Sequence, residues 1–189
     1  MRKALIKLNG RSSLTPGKDN RYMSFSPVPQ YSFRDVTQVT PVFLERLGVK
    51  FLMLDLDNTI AAYGEHSLSD ITSQWADEIK ENGAKLYLVS NSRRKGRVEL
   101  FAGALGADYV MRASKPSPKG VLQAMDSAGF RTCESAFIGD QVFTDTLAAN
   151  RAGVISIIVR PRRLQNPFLA FRYCLETPFR ALCKKKIGD

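Results

Sequence analysis

The stretch from Phe51 to Thr59, FLMLDLDNT, constrains this chain more than any other. Four apolar residues run unbroken into Asp55 and Asp57, and a short apolar run of this kind reads as a strand buried on both faces. Side chains two positions apart on a strand point the same way, so both carboxylates are expected at one mouth of a sheet. Two acids that close repel one another in a semi-buried site. Keeping both usable calls for a bound cation, a shared proton or very good hydrogen bonding. A strand end followed by an Asx turn would account for the same residues without any chemistry, so the rest of the chain has to decide.

The segments around this stretch alternate in kind. Thr40 and Pro41 read as the N-cap and first position of a short helix that runs through Arg46 and is ended by Gly48, ahead of a strand at about 49–56. Beyond a loop of roughly ten residues, Ile71, Trp75 and Ile79 recur at helical spacing from Ser69 onward, and Gly83 stops them. LYLVSN at 86–91 is a second strand, followed by a helix over 95–105 with Val98, Phe101 and Leu105 on one stripe, then a short strand, DYVM, at 108–111. A helix over 118–128, a strand at 135–140, a helix near 144–152 and a strand at 154–159 complete the alternation. This pattern predicts an α/β fold with a mainly parallel sheet covered on both faces. Residues 9–32, rich in Ser, Pro, Asn and Gly, lack periodicity and read as extended and loosely ordered.

In such a sheet, ligands bind at the carboxyl ends of the strands. Those ends supply Asp55 and Asp57, then Ser90, then Lys115, then Asp140 and Asp145. Each has a harmless reading alone: Ser90 as a turn cap, Lys115 as a solvated lysine, GDQVFTD at 139–145 as a loop that caps a helix. Their occurrence together, each just past an apolar strand, points to one site. His66 is the single histidine and lies in a polar loop, which argues against a Ser/His/Asp triad or a multi-histidine metal site. Cys133, Cys174 and Cys183 are odd in number and lack C-x-x-C spacing, so they read as reduced thiols in a cytosolic type of compartment rather than as a zinc site.

The net charge of +10 favours polyanionic company, and its distribution matters more than its sum. Residues 1–50 carry nine Lys and Arg against three acids, and residues 160–189 carry eight against two, whereas 51–159 holds eleven against thirteen. The basicity belongs to the flanks. No apolar run approaches the ~20 residues that span a bilayer. The start, MRKALIKLNG, has too short an apolar stretch for a secretory signal and reads as part of a basic arm. The expected division is a loosely ordered arm over 1–32, a core over 33–160 and a basic amphipathic extension over 161–189.

At DLDNT (55–59), VSN (89–91), Lys115-Pro116 and GDQVFTD (139–145), the sequence resembles the haloacid dehalogenase (HAD) superfamily of aspartate-nucleophile phosphatases, whose four motifs occur in this order. With NRAG at 150–153, the resemblance narrows to class IIIA and its YqeG-like subgroup, over roughly residues 27–175. It implies a three-layer, doubly wound Rossmannoid core. It implies Asp55 as the nucleophile that forms an aspartyl phosphate, and Asp57 as the acid and base that serves the leaving oxygen and then the attacking water. Magnesium would be held by Asp55, the main chain of Asp57, Asp140 and, through an outer shell, Asp145. Ser90, Asn91 and Lys115 would hold the phosphate, with Asn58 and Asn91 orienting their loops. Arg93, Arg94, Arg97 and Arg151 are candidates for a substrate rim, against the plainer reading of a solvated helix start. Ser92 stands where many relatives carry a second Asn.

Two intervals that host a cap domain in many HAD enzymes, after Thr59 and between Ser90 and Lys115, are too short for one here. A capless, open site favours a phosphate displayed on something large. The subgroup's eukaryotic relatives act on phosphatidylglycerophosphate, so the resemblance implies a lipid phosphate at an anionic membrane surface, with the enzyme cytoplasmic and peripheral on the inner face. A phosphatase of phosphoproteins or soluble phosphomonoesters, and a nucleic-acid or ribosome-associated protein with secondary phosphatase activity, are the alternatives; no RNA-binding motif supports the last. Phe168, Phe171, Leu175, Phe179 and Leu182 fall on one helical stripe with basic edges, and Thr177-Pro178 is expected to restart the helix partway. Such a stripe either packs on the protein's own core or lies in a membrane interface.

Overall fold

The computed structural model describes residues 25–164, 167–183 and 185–186; the basic arm up to residue 24 lies outside them. Seven strands form one sheet in which every pairing is parallel: β1 (Tyr31–Ser32), β2 (Phe51–Leu54), β3 (Lys85–Val89), β4 (Asp108–Val110), β5 (Ser135–Gly139), β6 (Ile155–Ile158) and β7 (Lys185–Lys186). Their spatial order is β4-β3-β2-β5-β6-β1-β7. From β2 the chain first steps outward through β3 and β4, then returns to the other side of β2 with β5. The order thus reverses between β2 and β5, and the crevice at the carboxyl end of such a reversal is where open α/β sheets bind ligands.

The two-residue period of the strands builds two cores. Leu52 and Leu54 of β2 and Leu86 and Leu88 of β3 point to one face, Phe51 and Met53 with Tyr87 and Val89 to the other. The first face is covered by α2 (Asp70–Glu81) and α3 (Lys95–Leu105) through Trp75, Ile79, Val98, Phe101 and Leu105. The second is covered by α4 (Lys119–Ala128) and α5 (Leu147–Ala152) through Val121, Ala124, Met125, Ala148 and Ala149. All four residues of β2 are fully buried, at about 1.5–3 kcal/mol for each large apolar side chain. The expected three-layer, doubly wound arrangement is the one observed.

Local signals explain most boundaries. Thr40 caps the short helix α1 (Pro41–Arg46), its Oγ1 accepting from the Phe43 N–H at 3.2 Å, and Ser69 caps α2 in the same way from Thr72 at 3.3 Å. Gly83 sits at φ 86 just past α2, a conformation that other residues adopt only with strain.

Four expectations need correction. Ile71 is 68% exposed; the buried face of α2 is Thr72, Trp75, Ala76 and Ile79, because the indole must reach the Val39 carbonyl, to which it donates at 2.8 Å. Residues 142–146 form a wide π-turn rather than the start of an α-helix, with the Thr146 N–H reaching the Gln141 carbonyl at 3.2 Å. The core also runs past both expected boundaries. Tyr31 and Ser32 pair with β6, and Asn150 Nδ2 donates to the Ser26 and Val28 carbonyls at 2.6 and 3.1 Å, so the described end of the arm is fastened to the sheet. Finally, the C-terminal helix α6 (Pro167–Ala181) runs through Pro178 without restarting. The ring forfeits the backbone donor that would serve the Cys174 carbonyl, while Thr177 Oγ1 donates to the neighbouring Tyr173 carbonyl at 2.9 Å.

Candidate active site

The chain leaves β2 at Asp55, whose N–H donates to the Ile138 carbonyl of β5 at 2.9 Å. Three residues on, Asn58 adopts φ 64 and donates its N–H to the Ala61 carbonyl at 2.7 Å, which doubles the loop back under the carboxylates. Thr59 Oγ1 then lies 3.3 Å from Asp55 Oδ2 and 3.4 Å from Asp140 Oδ1, so one hydroxyl serves both acids. Lys115 enters from the opposite side. Its Nζ lies 2.5 Å from Asp55 Oδ1, 2.8 Å from Asp145 Oδ1 and 3.0 Å from the Val89 carbonyl, which uses all three ammonium donors. Asn91 fixes the main chain of Lys115 with a reciprocal pair, accepting its N–H at 2.8 Å and donating to its carbonyl at 3.0 Å. Ser90 is buried at the end of β3, its Oγ accepting from the Ser92 N–H at 3.1 Å.

The π-turn aims Asp145 inward. Its Oδ2 accepts from the Gln141 N–H at 3.0 Å, and it lies so close to Gly139 that a Cβ there would meet the Asp145 side chain at 2.4 Å. Oxygen atoms of Asp55, Asp140 and Asp145 all come within 4.8 Å of one another, and all three residues are buried. Three carboxylates thus gather where one ammonium pairs with two of them, Asp55 and Asp145. Burial foremost pushes the Asp55 carboxyl up to about 7; Lys115 works against this, and Asp145 adds to it. Burial, then Asp145 and Asp55, holds Asp140 well above the usual carboxylate range. Burial alone would lower the Lys115 ammonium, but Asp145 and Asp55 outweigh it and raise it, so the lysine stays charged. Surplus negative charge among hard oxygen donors, in a place with little water, is what a divalent cation such as magnesium fits.

Residues 20–153 match the family model of the haloacid dehalogenase-like hydrolases. The chain belongs to this family. It is 32% identical over 142 residues to a Bacillus subtilis (strain 168) protein named probable phosphatase YqeG, covering 75% of this chain and 82% of that one. It is 26% identical over 161 residues to phosphatidylglycerophosphate phosphatase 1, chloroplastic/mitochondrial, of Arabidopsis thaliana, covering 80% of this chain and 45% of that relative, so it spans less than half of the latter's length. Among solved structures, 3-deoxy-D-manno-octulosonate 8-phosphate phosphatase from Moraxella catarrhalis, determined with magnesium, phosphate and KDO, shares the fold at a TM-score of 0.52 with 13% identity over 76% of this chain and 79% of that one. The chain is a phosphatase of the haloacid dehalogenase type.

In this member, Asp57 does not stand free. Arg97 Nε and Nη2 each lie 3.0 Å from its Oδ1, while the same guanidinium donates to the Ala62 carbonyl at 2.8 Å and to the Glu65 carbonyl. Of the four arginines expected at the rim, then, Arg97 holds the general-acid candidate and its loop. Arg151 donates to the Pro116 carbonyl at 2.9 Å and lies over the Phe25 ring, which props the Lys115 loop from behind. Only Arg93 and Arg94 are exposed, and Arg93 lines a hollow with Asn91, Arg112 and Ser114 beside the motif loops.

The sequence reading missed a contribution from α6. Arg180 donates to the Asp140 and Val159 carbonyls, the latter at 3.0 Å, and Glu176, 1% exposed, accepts from the Phe143 N–H at 3.3 Å and from Arg180 at 3.2 Å. The loop that carries Asp140 is therefore gripped at two points from the C-terminal extension. A signal was present: Arg172, Glu176 and Arg180 repeat at four-residue spacing, and Glu176 is the single acid of that helix.

Proposed function

We propose that this phosphatase is a magnesium-dependent phosphomonoesterase that works through an aspartyl phosphate on Asp55, and that its substrate is a lipid phosphate of the phosphatidylglycerophosphate kind. The observation that carries the chemistry is the buried cluster of Asp55, Asp140 and Asp145 against the single ammonium of Lys115. Asp55 and Asp140, with Asp145 behind them, would hold the cation. A magnesium ion held there would supply positive charge that offsets the repulsion between an anionic nucleophile and an anionic phosphate and would favour the ionised form of Asp55.

The chain's own groups do the rest. Asp55 attacks phosphorus; Asp57, released from or shared with Arg97, gives its proton to the leaving oxygen and afterwards takes one from water. Lys115 neutralises the phosphoryl oxygens as a point charge, and Ser90 donates to one of them. The lipid assignment is supported by the Arabidopsis relative and by the openness of the site. Residues 60–69 form a loop, and only α3 and β4 lie between Ser90 and Lys115.

Phosphate release from phosphatidylglycerophosphate in mixed micelles, with and without magnesium, tests both halves, beside an aryl phosphate and the Asp55→Asn variant. The expected result is magnesium-dependent release from the lipid and a folded but inactive variant. Activity near wild type in Asp55→Asn removes the nucleophile assignment, and release from the aryl ester alone removes the lipid.

A further inference from the structure

The C-terminal helix meets the protein with the wrong face. Its polar side, Arg172, Glu176 and Arg180, is turned inward onto the loop of Asp140, whereas Phe168, Phe171 and Leu175 are 70%, 61% and 51% exposed. The alternative that this stripe seals the sheet is overturned: within it, Phe179 alone finds an aromatic partner, Phe143, at 5.5 Å between ring centroids. Leu182 is 66% exposed beyond the helix end, and Leu164, 46% exposed, precedes it. Side chains of this size in contiguous exposure mark a surface that meets something apolar.

Its place in the fold is specific. Leu164, Leu169, Arg172 and Tyr173 share one hollow with Asn58, Asp140 and Gln141, so the helix that carries the apolar strip lies against two of the loops that build the site. Around it the charge is positive. Arg163, 65% of its side chain exposed and 3.9 Å from Glu65, precedes the helix, Arg93 and Arg94 are exposed ahead of α3, and in sequence the segment from residue 160 onward carries eight basic residues against two acids, Arg172 and Arg180 being the ones turned inward. No helix among the described residues is long and apolar enough to cross a membrane. An apolar strip with a cationic border, on a helix lying flat against the protein, matches the interfacial region of an anionic bilayer.

We infer that the outer face of α6 docks on an anionic lipid surface, with Phe168, Phe171 and Leu175 entering the headgroup boundary and the basic border facing lipid phosphates. This rests on the reading that the substrate is a lipid phosphate, and it assigns the surface that presents such a substrate to Asp55. Docking in this pose sets the mouth of the site beside the plane of the headgroups, so a lipid need not leave its leaflet to be hydrolysed.

Co-sedimentation of the full chain with vesicles tests it, using phosphatidylglycerol/phosphatidylcholine mixtures beside pure phosphatidylcholine, for wild type and Phe168→Ser/Phe171→Ser. Binding is expected only to the anionic vesicles, weakened in 0.5 M salt, and reduced roughly tenfold or more by the double variant. Hydrolysis of a soluble aryl phosphate by that variant is expected to equal wild type. Equal vesicle binding by wild type and variant overturns the inference. So does a wild-type dimer in sedimentation velocity that the variant dissolves, because the face would then belong to a second copy. Vesicle binding without release from phosphatidylglycerophosphate overturns the substrate reading and leaves the docking face standing.

Discussion

Arg97 shows how a single side chain sets the working geometry here. It spends two donors on Asp57 and two more on the carbonyls of Ala62 and Glu65, so the acid and the loop beyond it are held as one piece. Arg97→Ala is expected to lower kcat about 10–100-fold with a smaller change in KM, because it misplaces a proton donor rather than a binding contact. Arg97→Lys should recover only part of this, since an ammonium cannot reproduce the fork. Steady-state kinetics on an aryl phosphate decide it; an unchanged kcat in Arg97→Ala would leave the arginine a merely structural role. Gly139→Ala is a second test at this scale. The new methyl collides with the Asp145 side chain, and the expected outcome is weaker magnesium binding by calorimetry together with about 1–3 kcal/mol of destabilisation. The residues of the acidic cluster were legible in the sequence because each follows a strand that its apolar run announces. The grip of Arg97 on Asp57 was not, since a charge in a run of Arg93, Arg94 and Lys95 reads as a substrate rim or a solvated helix start until the fold shows what lies opposite.

At the scale of elements, α6 departs furthest from expectation. Its periodicity identified an amphipathic helix, but periodicity does not say which side is bound. The inward side is decided by Glu176, whose carboxylate answers both the Phe143 N–H and Arg180. Glu176→Gln keeps the shape and removes the charge that balances Arg172 and Arg180; breaking one partner of a largely buried pair costs about 3 kcal/mol, or roughly 6–12 °C in Tm for a chain of this size. Differential scanning calorimetry measures it, and a Tm within a degree of wild type would mean that α6 is held by other contacts. The strands β2, β3, β5 and β6 were readable from unbroken apolar runs. The two-residue strands β1 and β7 were not, because two residues carry no period. The π-turn escaped for a related reason: it serves the inward aim of Asp145, which is a tertiary demand that no local propensity encodes.

For the molecule as a whole, the acidic cluster ties stability to pH. In the unfolded chain, Asp55 releases its proton near 3.8, whereas in the folded, metal-free protein it keeps it to about 7. Between those values the unfolded state binds fewer protons, so stability is highest at the acid end of the window, falls as pH rises through it and levels off above about 7. Urea titrations in a chelating buffer from pH 5 to 8 are expected to show this decline, to show less of it in Asp55→Asn, and to lose it when magnesium is in excess; a stability that rises across the same window would contradict the buried, unneutralised carboxyl. The overall architecture was legible because alternation of strands and helices leaves few arrangements open. How the chain's ends close the sheet was not, since that depends on pairings across more than a hundred residues.

That closure changes what the charge distribution means. Along the chain, the two positive surpluses stand at opposite extremes, separated by a slightly acidic middle. In space, β1 and β7 lie side by side at one border of the sheet, so the leading and trailing segments meet there. The two cationic stretches, one leading into β1 and the other containing β7, therefore join the folded protein through adjoining strands, a neighbourhood that no linear plot of its residues reveals.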